Sequence, residues 1–309
     1  MKIDNILVTG RIYKTVEPLI RTRLNKQLRF LAEEEVKPQD FDWADAYVSF
    51  RPTGNFSFGG LKWVHSFGAG VDSFLHNRSW KKDVLLTRTV CSFGQKISEY
   101  CLSYMLRETQ KHGVYQALQE QRQWNPVEPV SLSSQRVVIY GTGEIGQEVA
   151  RTLAFFGAKP IGISLSGTTK PHFAEVLPAS GAAGSLNSAD WVISTLPLTT
   201  ETEGMFNAAW FKKLQGACFM NVGRGATVDE KALLEALDHG FVRQAVLDVF
   251  AEEPLPEESA LWQHPKVQIT PHISAITGPE EAVQCFLDTL HLVEQGLMPP
   301  NRVSTEKGY

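Results

Sequence analysis

Short apolar runs rich in β-branched residues alternate with longer amphipathic segments along most of the chain. The runs predict strands at Ile6–Val8, Ala46–Ser49, Trp63–Ser66, Arg136–Tyr140, Ile161–Ser164, Trp191–Leu196, Ala217–Val222, Ala245–Phe250 and Val267–Thr270. The segments between them predict helices at Glu17–Glu35, Gln95–Trp124, Ile145–Phe156, Met205–Leu214, Glu230–His239 and Pro279–Leu297. Strands that alternate with helices require right-handed crossovers, so the pattern predicts an α/β fold with a doubly wound parallel sheet.

The predicted helix Gln95–Trp124 is expected to carry the chain from one α/β unit to another. It contains no proline, and its apolar residues recur at helical spacing, at Ile97, Tyr100, Cys101, Tyr104 and Met105. The last helix would return the chain to the first unit. We therefore expect a smaller domain formed by residues 1–96 and 276–309 and a larger domain formed by residues 97–275, with two connections that suit a closing cleft.

A glycine-rich turn, Gly141-Thr142-Gly143-Glu144-Ile145-Gly146, lies between a predicted strand and a predicted helix. This is the context that the dinucleotide-binding fingerprint requires. Gly141 permits the tight turn, Gly143 lets the backbone approach a pyrophosphate, and Gly146 lets the helix pack closely on the strand. The helix N-terminus would offer free N–H groups to the phosphates. A strand-to-helix turn that binds no ligand has the same pattern.

Composition excludes several other classes of function. The chain has 309 residues and a formal net charge of −4, which suits two globular domains and leaves no basic surface for nucleic acid or an anionic membrane. No apolar run has the length of a membrane span or of a signal-peptide core, so we expect a cytoplasmic protein. The four cysteines are scattered without metal-ligand spacing, which predicts reduced thiols and no metal site.

Six motifs in this order carry a resemblance to a known family: WVHSFGAGVD, GTGEIG, ISTLPLT, NVGRG, VLDVFAEEPLP and ITPHIS. The chain resembles the D-isomer-specific 2-hydroxyacid dehydrogenases, which include D-3-phosphoglycerate dehydrogenases and glyoxylate/hydroxypyruvate reductases. The resemblance implies a Rossmann domain that binds NAD(P) and a second, smaller flavodoxin-like α/β domain, built from both chain ends, that binds substrate. It also implies a homodimer paired through the nucleotide domain, with the apolar positions of Gln95–Trp124 either at that interface or buried within the domain.

The resemblance implies that Arg224, Glu253 and His272 are the catalytic residues. Reduction of a 2-oxo acid needs a cation for the substrate carboxylate and an acid that protonates the developing alkoxide. The planar guanidinium of Arg224 suits the carboxylate, and the glycines beside it indicate a bare turn with room for a ligand, although a sheet-end arginine has the same setting. Histidine titrates near neutral pH, and a carboxylate such as Glu253 would orient the His272 imidazole and stabilise its protonated form.

A second part of the substrate site is predicted in the first domain. Ala69 and Gly70 follow the strand-like WVHS, and small residues there would expose backbone N–H groups as an anion cradle. The family uses this segment in that way, although a tight turn without a ligand fits the sequence nearly as well. Arg51, His65 and Phe67 are candidates for substrate selectivity.

The predicted cofactor is NADP(H), with NAD(H) possible. An NAD-selective Rossmann domain usually ends its second strand in Asp or Glu, which repels a 2′-phosphate. Here Ser164 and Ser166 offer hydroxyls instead, and Leu165 stands about where NADP-preferring relatives carry an arginine. The resemblance assigns further cofactor contacts, at Leu196, Pro197, Thr199, Val222, Gly223 and Asp248. Asp248 would bind the nicotinamide carboxamide, unless it caps a loop by accepting bonds from backbone amides.

These patterns favour an oxidoreductase of small 2-oxo acids or D-2-hydroxy acids, with reduction of the glyoxylate or hydroxypyruvate type as the main hypothesis. D-3-phosphoglycerate oxidation is the alternative within the same enzyme class. An NAD(P)-sensing interaction protein resembling co-repressor relatives is the alternative of another class.

Overall fold

The computed structural model describes residues 1–308, and the chain divides into two compact units. The first consists of Met1–Phe93 and the chain from Thr277 onward, and the second is Gly94–Ile276.

The strands are β1 Asn5–Val8, β2 Gln27–Phe30, β3 Ala46–Ser49, β4 Trp63–Ser66, β5 Leu85–Arg88, β6 Val137–Tyr140, β7 Ile161–Ser164, β8 Glu175–Pro178, β9 Trp191–Ser194, β10 Ala217–Asn221, β11 Val242–Leu247 and β12 Val267–Ile269. The α-helices are α1 Tyr13–Arg21, α2 Pro38–Trp43, α3 Asp72–Leu75, α4 Phe93–Thr109, α5 His112–Glu120, α6 Glu144–Phe155, α7 Ala183–Asn187, α8 Ala208–Phe211, α9 Glu230–Asp238 and α10 Pro279–Glu294.

The first unit is a parallel sheet in the order β2-β1-β3-β4-β5, which is the flavodoxin-like order. Successive residues of a strand point to opposite faces, and here both faces are buried. Ile6 and Val8 pack in the cluster that includes Phe286 of α10, whereas Leu7 packs in the cluster that includes Phe41 of α2. The first unit is therefore built from both ends of the chain, because α10 forms part of its core.

The second unit is a parallel sheet in the order β12-β11-β10-β9-β6-β7-β8. Counted from β6, the strand order runs 3-2-1-4-5-6-7, so the sheet is doubly wound with the Rossmann topology. Its two faces are covered by separate apolar clusters, one with α8 and α9 and the other with α4 and α6. Because all strands run in the same direction, the loops after β6, β9, β10 and β11 lie along one edge, where ligands bind in such sheets.

The predicted helix Glu17–Glu35 is wrong as a single element. Helix α1 ends at Arg21, and the edge strand β2 follows at Gln27–Phe30. The residues of β2 alternate between polar and apolar, with Leu28 and Phe30 packed against the core. This period of two is shorter than the helical period and was obscured by the polar residues around it.

The predicted helix Gln95–Trp124 is also divided. Helix α4 ends at Thr109, Lys111 adopts a left-handed φ of 60°, and α5 begins at His112. A left-handed residue ends a helix much as a glycine does, but the nearby glycine, Gly113, lies inside α5 and not at the break. The apolar residues of the predicted helix all lie in α4 and face the apolar cluster that α4 shares with α6. Ile97, Cys101 and Met105 are buried in this cluster, and Tyr100 and Tyr104 pack against it. They form the intradomain face, which was the alternative to a dimer interface.

Two further differences concern short elements. The structure contains β5 and β8, which the apolar pattern did not predict, and both lie at sheet edges. The predicted helix Met205–Leu214 reduces to α8, which begins after Asn207 because the Asn207 side chain accepts a hydrogen bond from the Trp210 N–H at 3.1 Å. Among residues 1–308, no helix is long and apolar enough to cross a membrane.

The selectivity candidates of the first unit are not equivalent. His65 and Phe67 are fully buried in the core, so they do not face a ligand. Arg51 is exposed and lies 3.1 Å from the Glu33 carboxylate. Only Arg51 therefore keeps the accessibility that a selectivity role needs.

His65 lies in a series of hydrogen bonds within the buried core of the first unit. Trp63 Nε1 donates to Thr87 Oγ1 at 2.8 Å, and Thr87 Oγ1 lies 2.8 Å from His65 Nδ1. Thr89 Oγ1 donates its single proton to the Ser66 carbonyl oxygen at 3.0 Å, so it accepts from His65 Nε2, which lies 3.3 Å away. In the neutral ring Nδ1 is then the acceptor, and Thr87 Oγ1 donates to it. Burial lowers the pKa of the His65 imidazole to about 3.

We predict that His65 makes the first unit sensitive to acid. In the unfolded chain a histidine titrates near pH 6.5, so below that pH the unfolded state binds a proton that the folded state does not. Between about pH 6.5 and pH 4.5, this difference should lower the free energy of unfolding by roughly 2–3 kcal/mol. Urea unfolding of the wild type and of His65→Gln at both pH values measures it. The variant should lose less stability on acidification, whereas the exposed-site control His112→Gln should follow the wild type. Equal losses in wild type and His65→Gln would contradict the prediction.

Candidate active site

The glycine-rich turn has the geometry of a phosphate-binding turn. Gly141 has a φ of 97°, and a Cβ there would lie 2.6 Å from Thr195 Oγ1. A Cβ on Gly146 would lie 1.9 Å from the Gly141 carbonyl oxygen, so this glycine is required for α6 to approach the turn. A Cβ on Gly143 would have no atom of residues 1–308 within 4 Å, apart from its own chain neighbours. The turn therefore leaves open space at Gly143, at the N-terminus of α6, where a pyrophosphate group fits.

The remaining two predicted residues of the turn, Glu144 and Ile145, form the first turn of α6. The N-cap of α6 is Gly143, which has no side chain to bond the first N–H groups of the helix. These donors are oriented toward the open space beside Gly143. An anionic cofactor group would satisfy them and would interact favourably with the helix dipole.

The glycines beside Arg224 serve packing, which corrects the interpretation that they leave room for a ligand. A Cβ on Gly223 would lie 2.5 Å from the Leu196 carbonyl oxygen, and a Cβ on Gly225 would lie 1.8 Å from the Phe250 carbonyl carbon. Backbone therefore fills the space that a side chain would take. These two contacts bring the loops after β9, β10 and β11 together at Arg224.

The backbone at Arg224 is held by a buried amide. Asn221, which is fully buried, donates from Nδ2 to the Arg224 carbonyl oxygen at 3.0 Å and accepts from the Gly223 N–H at 3.1 Å. Thr227 Oγ1 donates to the same Arg224 oxygen at 2.6 Å. The half-buried guanidinium starts from this fixed backbone, with Nη1 donating to the Gly223 carbonyl oxygen at 2.7 Å.

Glu253 and His272 form a direct pair. His272 Nδ1 lies 2.8 Å from Glu253 Oε2, and the other carboxylate oxygen accepts from the Phe250 N–H at 3.0 Å. Burial alone would raise the pKa of the Glu253 carboxyl, but the hydrogen bonds from His272 and Phe250 and the charge of Arg224 outweigh it and lower that pKa. An ionised carboxylate only accepts, so Nδ1 carries a proton and Nε2 is the ring nitrogen left for a substrate.

Asp248 holds the segment that carries His272. Its carboxylate is fully buried and accepts hydrogen bonds from Thr270 Oγ1 at 2.6 Å, the Ile273 N–H at 2.8 Å and the Ser274 N–H at 2.9 Å. Asp248 therefore caps a loop by accepting bonds from backbone amides, which was the alternative to a nicotinamide contact. A contact between Asp248 and the nicotinamide remains a prediction.

The backbone of His272 needs this support. Its φ is 53°, a left-handed conformation that costs an L-residue roughly 1–2 kcal/mol. The His272 N–H donates to the Asp248 carbonyl oxygen at 2.8 Å and to the Thr270 carbonyl oxygen at 3.0 Å. Asp248 therefore fixes the histidine through both its side chain and its main chain.

The predicted cofactor loops lie along the same sheet edge. Leu196, Pro197 and Thr199 follow β9 and are half-buried, and Thr202 Oγ1 orders them by donating to the Pro197 carbonyl oxygen at 2.7 Å. Val222, at the end of β10, is buried. These positions stand where the fold places cofactor contacts, and their roles remain predictions.

Strand β7 ends at Ser164, so no carboxylate stands at the end of the second Rossmann strand. Ser164 Oγ accepts from the Gly167 N–H at 3.1 Å, and Ser166 Oγ lies 2.8 Å from Thr168 Oγ1. Leu165 is 73% exposed. The loop is thus ordered by hydroxyl groups, and it carries no negative charge that would repel a phosphate.

In the first unit, the segment after β4 has donors available for an anion. Ser66 Oγ accepts from the Gly68 N–H at 3.2 Å, and Arg88 Nη1 donates to the Ala69 carbonyl oxygen at 3.0 Å. Within residues 1–308, the N–H groups of Ala69 and Gly70 donate no hydrogen bond, and both residues are half-exposed. This arrangement suits an anion cradle, which remains a prediction.

The sequence analysis did not identify Asn221, Thr270 or Tyr100 as residues of the site. Asn221 bonds to the backbone of Arg224, Thr270 bonds to Asp248, and Tyr100 bonds to Thr270. Asn221 is a polar residue that ends an otherwise apolar strand, and that position alone was a usable signal. Thr270 and Tyr100 are recognisable only from their contacts, because one ends a predicted strand and the other repeats at helical spacing like a core residue.

Comparisons with known proteins place this geometry in one family. Residues 102–274 match the NAD-binding domain of the D-isomer-specific 2-hydroxyacid dehydrogenases. The chain is 36% identical over 88% of its length to the glyoxylate/hydroxypyruvate reductase A of Serratia proteamaculans, covering 90% of that protein.

Two solved structures extend the likeness to nearly the whole chain. An NADPH-dependent glyoxylate/hydroxypyruvate reductase from Sinorhizobium meliloti, solved with NADP and sulfate, has a TM-score of 0.85 at 30% identity, covering 99% of this chain and all of that one. A D-isomer-specific 2-hydroxyacid dehydrogenase from Xanthobacter autotrophicus, solved with NADPH and MES, has a TM-score of 0.90 at 28% identity and covers both chains completely. The chain belongs to the D-isomer-specific 2-hydroxyacid dehydrogenase family and is an NAD(P)-dependent oxidoreductase.

Proposed function

We propose that the protein reduces glyoxylate or hydroxypyruvate to the corresponding 2-hydroxy acid with NADPH. The observation that carries the proposal is the 2.8 Å contact between His272 Nδ1 and Glu253 Oε2, beside the cation of Arg224. The choice of substrate follows the reductase of Serratia proteamaculans, to which the chain is 36% identical. The choice of cofactor follows the NADP-bound reductase of Sinorhizobium meliloti and the uncharged end of β7.

The catalytic roles follow from charge and geometry. The turn Gly141–Gly146 and the N-terminus of α6 would hold NADPH, which would supply the hydride for the substrate carbonyl carbon. Arg224 binds the substrate carboxylate. The N–H groups of Ala69 and Gly70 are proposed to bind an anionic group of the substrate. His272 donates its Nε2 proton to the carbonyl oxygen as negative charge develops there, and Glu253 stabilises the imidazolium before that transfer. The His272 side chain is 46% exposed, so it can recover a proton from water after each turnover.

The test of this function is the oxidation of NADPH and of NADH, followed separately with hydroxypyruvate, glyoxylate, pyruvate and phosphohydroxypyruvate. We expect turnover with hydroxypyruvate or glyoxylate and a preference for NADPH. In His272→Ala, turnover should fall at least about 100-fold while NADPH binding, measured by fluorescence, is retained. Turnover of phosphohydroxypyruvate alone with NADH would indicate a phosphoglycerate dehydrogenase instead. Binding of cofactor without turnover of any of these acids would favour the alternative of an NAD(P)-sensing interaction protein.

We predict that Ser164→Asp reverses the cofactor preference. An aspartate can still accept the hydrogen bond that Ser164 Oγ accepts from the Gly167 N–H at 3.1 Å, but it places a carboxylate where a 2′-phosphate would bind. The kcat/KM for NADPH should fall roughly 10- to 100-fold, and that for NADH should hold or rise. Ser164→Asn, which adds no charge, is the matched control and should keep the preference. An equal loss with both cofactors in the aspartate variant would count against a 2′-phosphate at this loop.

We infer that the protein forms a homodimer through α5 and the segment that follows it. Trp124 is 98% exposed, and Val114, Tyr115 and Val130 are also exposed, so a single chain leaves these large apolar side chains uncovered. The segment is ordered, because the Tyr115 hydroxyl donates to the Val127 carbonyl oxygen at 2.6 Å. Exposed tryptophans that become buried are frequent energetic centres of interfaces.

Sedimentation equilibrium measures the oligomeric state. The wild type should be a dimer at micromolar concentration, and Trp124→Ala should raise the dissociation constant about 30-fold or more. Phe155→Ala removes an aromatic ring that is 82% exposed on α6 and should leave the dimer intact. A monomeric wild type, or equal effects of the two substitutions, would refute this interface.

A further inference from the structure

A series of hydrogen bonds leads from α4 to the buried carboxylate behind His272. The Tyr100 hydroxyl lies 2.7 Å from Thr270 Oγ1, and Thr270 Oγ1 donates to Asp248 Oδ1 at 2.6 Å. A threonine hydroxyl has a single proton, and an ionised carboxylate can only accept one. Thr270 therefore gives its proton to Asp248, and the Tyr100 hydroxyl must be the donor to Thr270.

Tyr100 remains a donor at every pH at which the enzyme would be assayed. Burial raises the pKa of its phenol far above the ordinary value, so the hydroxyl stays protonated. Hydrogen bonds arranged in series polarise one another, and a hydroxyl that accepts from one group donates more strongly to the next. The bond from Tyr100 thus strengthens the bond from Thr270 to Asp248.

The same carboxylate determines where His272 lies. Asp248 also accepts from the Ile273 N–H at 2.8 Å and the Ser274 N–H at 2.9 Å, the two residues that follow the histidine. His272 itself is in the left-handed conformation, with a φ of 53°, which it keeps only while its neighbours are held. Within residues 1–308, no other buried charged side chain hydrogen-bonds to residues 270–274.

We propose that Tyr100 and Thr270 are positioning residues for His272, acting in series through the Asp248 carboxylate. Neither touches the reacting atoms. Their hydroxyls fix the segment Thr270–Ser274, and this segment keeps the imidazole aligned on Glu253. The inference rests on the proposed function in that it takes His272 as the proton donor.

The substitutions that test the proposal change single atoms or groups. Thr270→Val keeps the shape of the side chain and removes the hydroxyl, Thr270→Ser keeps the hydroxyl, and Tyr100→Phe removes one oxygen. Thr109→Val is the matched control, because Thr109 is also buried in the second unit but donates only within its own helix, to the Met105 carbonyl oxygen at 2.9 Å.

We expect kcat for hydroxypyruvate to fall roughly 10- to 30-fold in Thr270→Val and about 3- to 10-fold in Tyr100→Phe, with the KM for NADPH changed less than about 3-fold. The alkaline midpoint of the rate profile should move to lower pH in both, because a misaligned imidazolium loses stabilisation by Glu253. Thr270→Ser should recover most of kcat, and Thr109→Val should behave as the wild type.

Wild-type kcat and an unchanged alkaline midpoint in Thr270→Val and Tyr100→Phe would overturn the proposal, as would a Thr270→Ser variant as slow as Thr270→Val. A lower melting temperature with an unchanged profile would also overturn it, because it would indicate a purely structural role. If Thr270→Val does not fold, Tyr100→Phe still decides the question.

A wild type that turns over no 2-oxo acid would refute the proposed function rather than this inference. In that case proton NMR titration of the His272 ring gives the answer without turnover. The titration midpoint should move to lower pH in Thr270→Val and Tyr100→Phe and should stay at the wild-type value in Thr270→Ser and Thr109→Val. A wild-type midpoint in all four variants would refute the positioning role.

Discussion

A buried carboxylate needs hydrogen-bond donors in place of water, and Asp248 accepts from three donors that lie within the five residues 270–274. Thr270, Ile273 and Ser274 all donate to it, and the Asp248 carbonyl oxygen accepts from the His272 N–H. An unpaired buried charge would be far more costly than the left-handed backbone that these bonds impose on His272. The position of the imidazole is therefore a consequence of how a buried charge is solvated by its own chain.

The other two proposed catalytic groups, Arg224 and Glu253, depend on close approaches of backbone. Gly223 lies against Leu196 and Gly225 lies against Phe250, so the loops after three neighbouring strands are in contact around Arg224. The Phe250 N–H in turn donates to Glu253, which leaves the second carboxylate oxygen for His272. One edge of the sheet thus presents the guanidinium that we propose binds the substrate carboxylate and the carboxylate-supported imidazole that we propose protonates the carbonyl oxygen. This arrangement serves hydride transfer to a 2-oxo acid, which needs both groups in place before charge develops.

Much of the fold could be predicted from the sequence because parallel strands that are buried on both faces are nearly continuous apolar runs. The three strands that were missed, β2, β5 and β8, are edge strands, where one side of the strand meets solvent and polar residues interrupt the run. The break at Lys111 was missed because the left-handed residue is a lysine and the nearby Gly113 lies inside the second helix.

The site was predictable to a similar degree. The Glu253–His272 pair follows from two motifs, whereas the glycines beside Arg224 were assigned to a ligand and instead accommodate backbone. The partners of Asp248 could not be predicted, because Tyr100 and Thr270 are far apart in the chain and meet only in the folded domain. The roles of Ala69 and Gly70 and of the cofactor loops stay predictions.

We propose that the charge of Glu253, and not merely its hydrogen bond, keeps His272 ready to donate a proton. The most direct measurement is the pH dependence of kcat/KM for hydroxypyruvate reduction in the wild type and in Glu253→Gln. Glutamine can still accept from Nδ1, so the imidazole stays in place but loses the stabilisation of its charged form. In Glu253→Gln we expect the alkaline midpoint to move to lower pH and the rate at the optimum to fall roughly 10- to 100-fold. A Glu253→Gln enzyme with the wild-type midpoint and rate would contradict it.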